Sequence, residues 1–316
     1  MPLDPKAQAL LDARNALGNP AYRTMTVEAA RAMTIQQSVA LNKRKLPVAD
    51  VAHRTIPGPG GPLRVRVYTP EGAGPFPVVV YFHGGGFVIC DLDTHDGLCR
   101  ALCQASGCVV ASVDYRLAPE HPFPAAVDDA EAATRWALSH APEIGGDPSR
   151  IVVAGDSAGG CLATAACLRL RDSGGPLPIG QALLYPITTC HPDTTPSYRD
   201  FADGYGLTRA SMFWFLGHYL RDASQADDSR ASPLLAPDLT GLPPSLIVTA
   251  EYDLLRDEAE LYAERLRAAG VPVSLIRYDG MIHGFMRYIG ILDQSRQGVD
   301  VVGGWLRELR DTAIVG

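Results

Sequence analysis

Residues 154–160, Ala-Gly-Asp-Ser-Ala-Gly-Gly, hold the spacing in this chain that most directly invites chemistry. A run of β-formers, Ile151-Val152-Val153-Ala154, leads into the Gly-x-Ser-x-Gly turn, and a small-residue stretch with helical potential, Ala158 to Leu170, leaves it. A serine hydroxyl becomes a useful nucleophile only when it is held out from the backbone beside a base. A sharp strand-to-helix turn does this, and glycines at 155 and 159 let neighbouring backbone pass close to it. The helix that starts at Ala158 also aims free N–H groups at the site. Ser157 is therefore the candidate nucleophile, and the chemistry it suggests is acyl transfer.

Acyl transfer also needs a base, a group that orients the base, and donors for an oxyanion. His83-Gly84-Gly85-Gly86 directly follows an apolar strand-like run, and three successive glycines leave backbone N–H groups approachable. The N–H groups of Gly84, Gly85 and Ala158 are the expected oxyanion donors, with His83 bracing the loop through its ring. Among eight histidines, His283 in Asp279-Gly-Met-Ile-His-Gly-Phe is the candidate base, because it follows the last strand in a Gly-flanked loop. His53, His95, His121, His140, His191 and His218 read as solvated or capping residues. The orienting acid should follow the preceding strand, in the chain order serine, acid, histidine. Asp253 is favoured there; Glu251 is its competitor, near enough to serve or to stabilise the loop instead.

The elements that must position these groups follow from periodicity. Leu63-Arg-Val-Arg-Val-Tyr-Thr alternates with period two, and Gly58-Pro-Gly-Gly-Pro before it predicts a hairpin with a strand near 50–56. Strands are then expected at 77–82, 108–114, 151–154, 181–185, 245–250 and 272–278, several of them continuous apolar runs that suit central strands covered on both faces. Helices fit at about 94–106, 124–140, 158–172, 256–269 and 295–310. This alternation predicts an α/β fold, a mostly parallel sheet with helices on both faces. Residues 1–45 read as helical, with Thr26 as an N-cap, and serve either as a cap segment or as an ordinary packed helix. The interval 187–243 is long and turn-rich, with an aromatic block from Met212 to Leu220, and is expected to contribute a lid over the half of the chain that carries Ser157.

Five stretches together resemble the hormone-sensitive-lipase-like esterases, bacterial family IV of the α/β-hydrolases. They are His83-Gly-Gly-Gly-Phe87, Asp114-Tyr-Arg-Leu-Ala-Pro-Glu120, Gly155-Asp-Ser-Ala-Gly159, Glu251-Tyr-Asp-Leu-Leu-Arg-Asp257 and His283-Gly-Phe285, in family order over about residues 77–285. The resemblance implies an α/β-hydrolase fold with Ser157 as nucleophile, Asp253 as acid, His283 as base and a glycine-loop oxyanion hole. It implies a helical cap at 1–45 and a catalytic domain over 46–316 with a cap insertion at about 187–243. One departure is visible: the family often has proline after the acid, where this chain has Leu254. The resemblance places the chain in the Gly-Asp-Ser-Ala-Gly branch, with Asp156 as a brace of the catalytic loops. Around Arg116 an internal ion-pair network is expected.

The expected activity is hydrolysis of short- to medium-chain carboxylic esters through an acyl-enzyme, with Phe87, Phe213 and Trp214 lining the substrate pocket. An amidase or carbamate hydrolase with the same triad, and a non-catalytic receptor on the same fold, are the alternatives. The partner is a small-molecule ester, with a homodimer left open. Over 316 residues the formal net charge is −7, which argues against nucleic acid or an anionic membrane surface as the main partner. No apolar stretch reaches the roughly 18 residues of a membrane span, so membrane insertion is not expected. No signal peptide is visible, and seven cysteines without a CxxC pair read as reduced, mostly buried and inert thiols, which predicts a cytoplasmic protein. No spacing suits a metal, and the chemistry calls for no cofactor.

Overall fold

The computed structural model describes residues 1–18, 20–41 and 45–312. Position 19 and positions 42–44 of the expected N-terminal segment 1–45 lie outside the described residues. Eight strands form one sheet: β1 (Asp50–Gly58), β2 (Gly61–Thr69), β3 (Phe76–Phe82), β4 (Val109–Val113), β5 (Gly146–Asp156), β6 (Gly180–Leu184), β7 (Ser245–Tyr252) and β8 (Val273–Ile282). Their spatial order is β1-β2-β4-β3-β5-β6-β7-β8. The β1–β2 hairpin closes at Gly58 and Gly61, β2 runs antiparallel to β4, and every other pairing is parallel.

The helices are α1 (Pro5–Ala16), α2 (Val27–Leu41), α3 (Asp96–Ser106), α4 (Ala125–His140), α5 (Ala158–Asp172), α6 (Pro196–Asp200), α7 (Arg209–Tyr219), α8 (Arg256–Ala268) and α9 (Asp293–Thr312). Period-two burial in the central strands feeds two cores. In β3, Val78, Val80 and Phe82 pack with α4, α5 and α8 on one face, while Val79 and Tyr81 pack with α3 and α9 on the other. Both faces of β3 are covered, which is why its sequence is an unbroken apolar run.

Differences from the sequence-based expectation sit at element ends. β5 begins at Gly146, because the segment before the apolar run still pairs with Phe76. β8 continues to Ile282, since Tyr252 and Ile282 resume the pairing after a register shift, and His283 thus follows directly on a paired strand. The Thr26 cap is seen: its hydroxyl accepts from the Ala29 N–H at 3.3 Å. In the interval 187–243 the aromatic block lies on α7, capped by the Thr208 side chain. Among the described residues no helix is long and apolar enough to cross a membrane.

Candidate active site

The tight passage from β5 into α5 places Ser157 at φ 55° and ψ −119°, a conformation that ordinary L-residues avoid. Such a residue costs about 1–3 kcal/mol unless its surroundings hold it. Here its N–H donates to the Leu184 carbonyl (2.9 Å), and its own carbonyl accepts from Gly160 (3.0 Å) and Ile187 (3.1 Å). The turn also needs Gly159, where an added Cβ would collide with the Phe82 carbonyl.

Ser157 Oγ lies 3.0 Å from His283 Nε2, and His283 Nδ1 lies 2.6 Å from Asp253 Oδ2. The contact with a buried carboxylate makes Nδ1 the donor, which leaves Nε2 to accept from the serine hydroxyl. Asp253 is itself oriented by the Leu255 N–H, which donates to Oδ1 at 2.9 Å. Tyr185 meets the imidazole edge-on at 5.1 Å between ring centroids and restricts its rotation. Glu251, the competing acid, faces elsewhere: its Oε2 accepts from the Gly280 N–H at 2.7 Å, tying the end of β7 to β8 three residues before His283. The structure thus brings Asp253, not Glu251, to the histidine.

The glycine loop departs from expectation. The Gly84 N–H donates to Asp156 Oδ1 (2.8 Å) and the Gly84 carbonyl accepts from His83 Nδ1 (2.8 Å), so both polar groups of Gly84 are already engaged. The Gly84 N–H, expected to face an oxyanion, is therefore occupied by Asp156. Among the described residues the N–H groups of Gly85, Gly86 and Ala158 have no partner, and Gly85 and Gly86 border the same cavity as Ser157. Gly85 sits at φ +122°, with its carbonyl accepting from Val88 and Ile89, and a Cβ there would strike the Ile89 carbonyl.

Asp156 is buried beneath this loop. Its Oδ1 accepts from Tyr81 Oη (2.7 Å) as well as Gly84, and its Oδ2 faces His95 Nε2 at 3.3 Å. Burial alone would raise its pKa, but His95, Arg287 and Tyr81 together hold the carboxyl well below the usual carboxylate range. His95 departs from the sequence-based expectation: it is fully buried and pairs with Asp156 rather than lying solvated. Its polar neighbours Thr94 and Asp96 hid this, and nothing local could have signalled a contact 61 positions away. His83 stacks on Tyr115 at 4.4 Å, and burial pushes its pKa down to about 4, so it braces the loop as a neutral ring. Arg116 makes the expected network, donating to the buried Asp129 on α4.

A cavity of about 400 Å³ opens on Ser157 and His283. Leu10 of α1, Ser38 of α2, and Leu207, Met212 and Phe215 of the 187–243 interval form part of its wall. The expected pocket residues are not there. Phe87 is fully buried, stacked on Tyr219 at 3.8 Å. Phe213 is 46% exposed and lies under Arg209, and Trp214 stacks on Tyr22. On helix α7 the inward face falls at 212 and 215, one residue to either side of the expected pair. All seven cysteines are buried and unbridged; Cys90 borders the cavity, but burial pushes its thiol up to about 11, which keeps it protonated.

Comparison with known proteins agrees with this architecture. A family model described as alpha/beta hydrolase fold matches residues 79–287. The carboxylic ester hydrolase LipN of Mycobacterium tuberculosis is 47% identical over 267 residues, 82% of this chain and 70% of LipN. An ethyl acetate hydrolase of Pseudomonas putida is 38% identical, covering 77% of each chain. The solved structure of a hyperthermophilic esterase from the archaeon Pyrobaculum calidifontis superposes with a TM-score of 0.95 at 42% identity, covering 98% of this chain and 99% of that one. The chain belongs to the α/β-hydrolase fold family and, within it, to the hormone-sensitive-lipase-like esterases.

Proposed function

We propose that this chain, a carboxylic ester hydrolase, works through an acyl-enzyme formed on Ser157, with short- to medium-chain esters as substrates. The observation that carries the reading is the continuous chain of contacts from Asp253 through His283 to the Ser157 hydroxyl, at 2.6 and 3.0 Å. As Ser157 attacks the ester carbonyl, His283 Nε2 takes the hydroxyl proton and Asp253 stabilises the resulting imidazolium. The developing oxyanion is held by the N–H groups of Gly85, Gly86 and Ala158, each worth roughly 3–4 kcal/mol to the transition state. His283 then protonates the leaving alcohol, and a water it activates releases the acid.

The cap in this reading comprises α1, α2 and the interval 187–243, and three of its apolar residues, Leu207, Met212 and Phe215, favour a bounded pocket over an open lipid-binding face. Ser157→Ala is the direct test. The variant should fold with the wild-type Tm within a few degrees and hydrolyse p-nitrophenyl butyrate at background rate; retained turnover would move the nucleophile elsewhere. For chain length, wild-type kcat/KM on the butyrate should exceed that on the palmitate, and the opposite ranking rejects the bounded pocket.

A further inference from the structure

The substrate cavity carries positive charge that ester hydrolysis does not need. Arg287 lies four residues beyond His283, in the short turn Phe285–Arg287, and borders the cavity together with Ser157. A guanidinium has five N–H donors in a planar fork. Only Nη2 is engaged among the described residues, donating to Ser38 Oγ at 3.1 Å and to the Thr94 carbonyl at 3.3 Å. Nε is buried with no hydrogen-bond partner, and Nη1 makes no hydrogen bond among the described residues without being enclosed as Nε is. Arg287 forms no ion pair with an Asp or Glu among the described residues.

Arg14 of α1 borders the same cavity, also without an ion pair among the described residues. One carboxylate borders it, Asp156, and its oxygens already serve Tyr81, Gly84 and His95. Asp156, whose hydrogen-bond partners are uncharged, is held ionised in part by Arg287 and balances one of the two cations, so the cavity remains one negative charge short, although the whole chain carries a formal charge of −7. A guanidinium short of hydrogen-bond partners in such a site is costly, and Nη1 is the donor of Arg287 left to meet a carboxylate oxygen from the cavity. The remaining wall, with Leu10, Leu207, Met212 and Phe215, suits a short aliphatic segment.

We propose that Arg287, assisted by Arg14, recognises a carboxylate on the substrate, so that the favoured substrates are short esters bearing a free acid, such as monoesters of short dicarboxylic acids. This rests on the carboxylesterase reading above and specifies its substrate. Arg287 touches the non-reacting end of the substrate and sets specificity; the bond cleaved and the proton transfers are those of His283 and Ser157.

The test compares kcat/KM for monomethyl glutarate with its uncharged counterpart dimethyl glutarate, and for 4-acetoxybutanoate with its methyl ester. The first pair puts the acid on the acyl side and the second on the alcohol side. Wild-type enzyme should favour the anionic member of at least one pair by about tenfold. Arg287→Met should abolish that preference, Arg287→Lys should restore part of it, and Arg14→Gln should reduce it about threefold. If Arg287→Met fails to fold, calorimetry on the folded Ser157→Ala protein probes the same recognition: glutarate should bind and 1,5-pentanediol should not. Equal turnover of the charged and uncharged esters, a preference that survives Arg287→Met, or absence of glutarate binding overturns the proposal while leaving the carboxylesterase reading intact. No hydrolysis of any ester by the wild type overturns both.

Discussion

Two histidine–aspartate pairs lie close to Ser157, and they differ in what the second ring nitrogen faces. In His283–Asp253 the contact is 2.6 Å and the other nitrogen meets the Ser157 hydroxyl; the imidazole side chain is 12% exposed and borders the cavity. In His95–Asp156 the contact is 3.3 Å and the other nitrogen faces Thr94 Oγ1 at 3.0 Å, with the imidazole fully enclosed. Burial lowers the His95 pKa, so that ring stays neutral and acts as a donor. Asp156 spends its oxygens on Tyr81, Gly84 and His95, whereas Asp253 directs one oxygen to His283. One pair can pass a proton to and from a reacting group. The other holds the glycine loop against the serine turn. An imidazole beside a carboxylate is therefore not enough to mark a catalytic base; access of its free nitrogen to a nucleophile is what separates the two.

The largest effects should come from the open pair. His283→Gln should cut kcat on p-nitrophenyl butyrate by about 10⁴-fold or more while shifting Tm little. Asp253→Asn should cost about 10⁴-fold, because the amide no longer selects the tautomer that leaves Nε2 free to accept. Glu251→Gln should cost less than about tenfold, since its Oε2 contact with Gly280 ties β7 to β8 and does not reach the imidazole. If Glu251→Gln is the more damaging of the two, the open pair has been assigned the wrong acid.

The closed pair should respond in the opposite proportions. His95→Leu leaves Asp156 short of one partner, and loss of a hydrogen bond to a buried charged group costs about 1.5–3 kcal/mol, several degrees of Tm in a chain of this size. Turnover should fall by only about tenfold, through looser placement of Gly85 and Gly86 beside the nucleophile. A loss of activity as deep as that of His283→Gln with Tm unchanged would show that His95 takes part in the proton transfers, and the distinction between the pairs would fail.

The same contrast shows what was legible in the sequence. Ser157, Asp253 and His283 each sit at a strand end in a short, turn-forming motif, so local chemistry and chain order identified them as candidates. The central strands were legible because burial on both faces produces uninterrupted apolar runs, and β2 because one wet face makes its sequence alternate. His95 was not, because its role depends on a partner 61 positions away and its neighbours are polar. The engagement of the Gly84 N–H by Asp156 was hidden for a related reason. Three identical glycines offer no means of telling which N–H a distant Asp156 will occupy. Phe213 and Trp214 were assigned to the pocket from the aromatic block of the expected lid, without a helical phase, and α7 turns the flanking Met212 and Phe215 to the cavity instead.

A third carboxyl near the open pair gives the smallest and most specific effect, on stability against pH. Glu258 on α8 is fully buried; its Oε1 accepts from the N–H groups of Thr188 (2.7 Å) and Thr189 (3.2 Å), while Oε2 has no hydrogen-bond partner. Burial, reinforced by Asp253, pushes its pKa up to about 8. At neutral pH it therefore carries a proton, which spares Asp253 a second negative charge nearby. In the unfolded chain the same carboxyl ionises in the ordinary glutamate range, near pH 4.3. Below that pH both states are protonated and the contribution to folding is complete. Between there and about pH 8 the unfolded state alone releases the proton, so stability declines as pH rises. Glu258→Gln keeps an oxygen for Thr188 and Thr189 and cannot ionise. Its Tm should change by several degrees less than that of the wild type between pH 5 and 8, with kcat at pH 7 within about threefold. Parallel Tm curves for the two proteins would mean that Glu258 is charged in the fold, a buried carboxylate within electrostatic reach of Asp253.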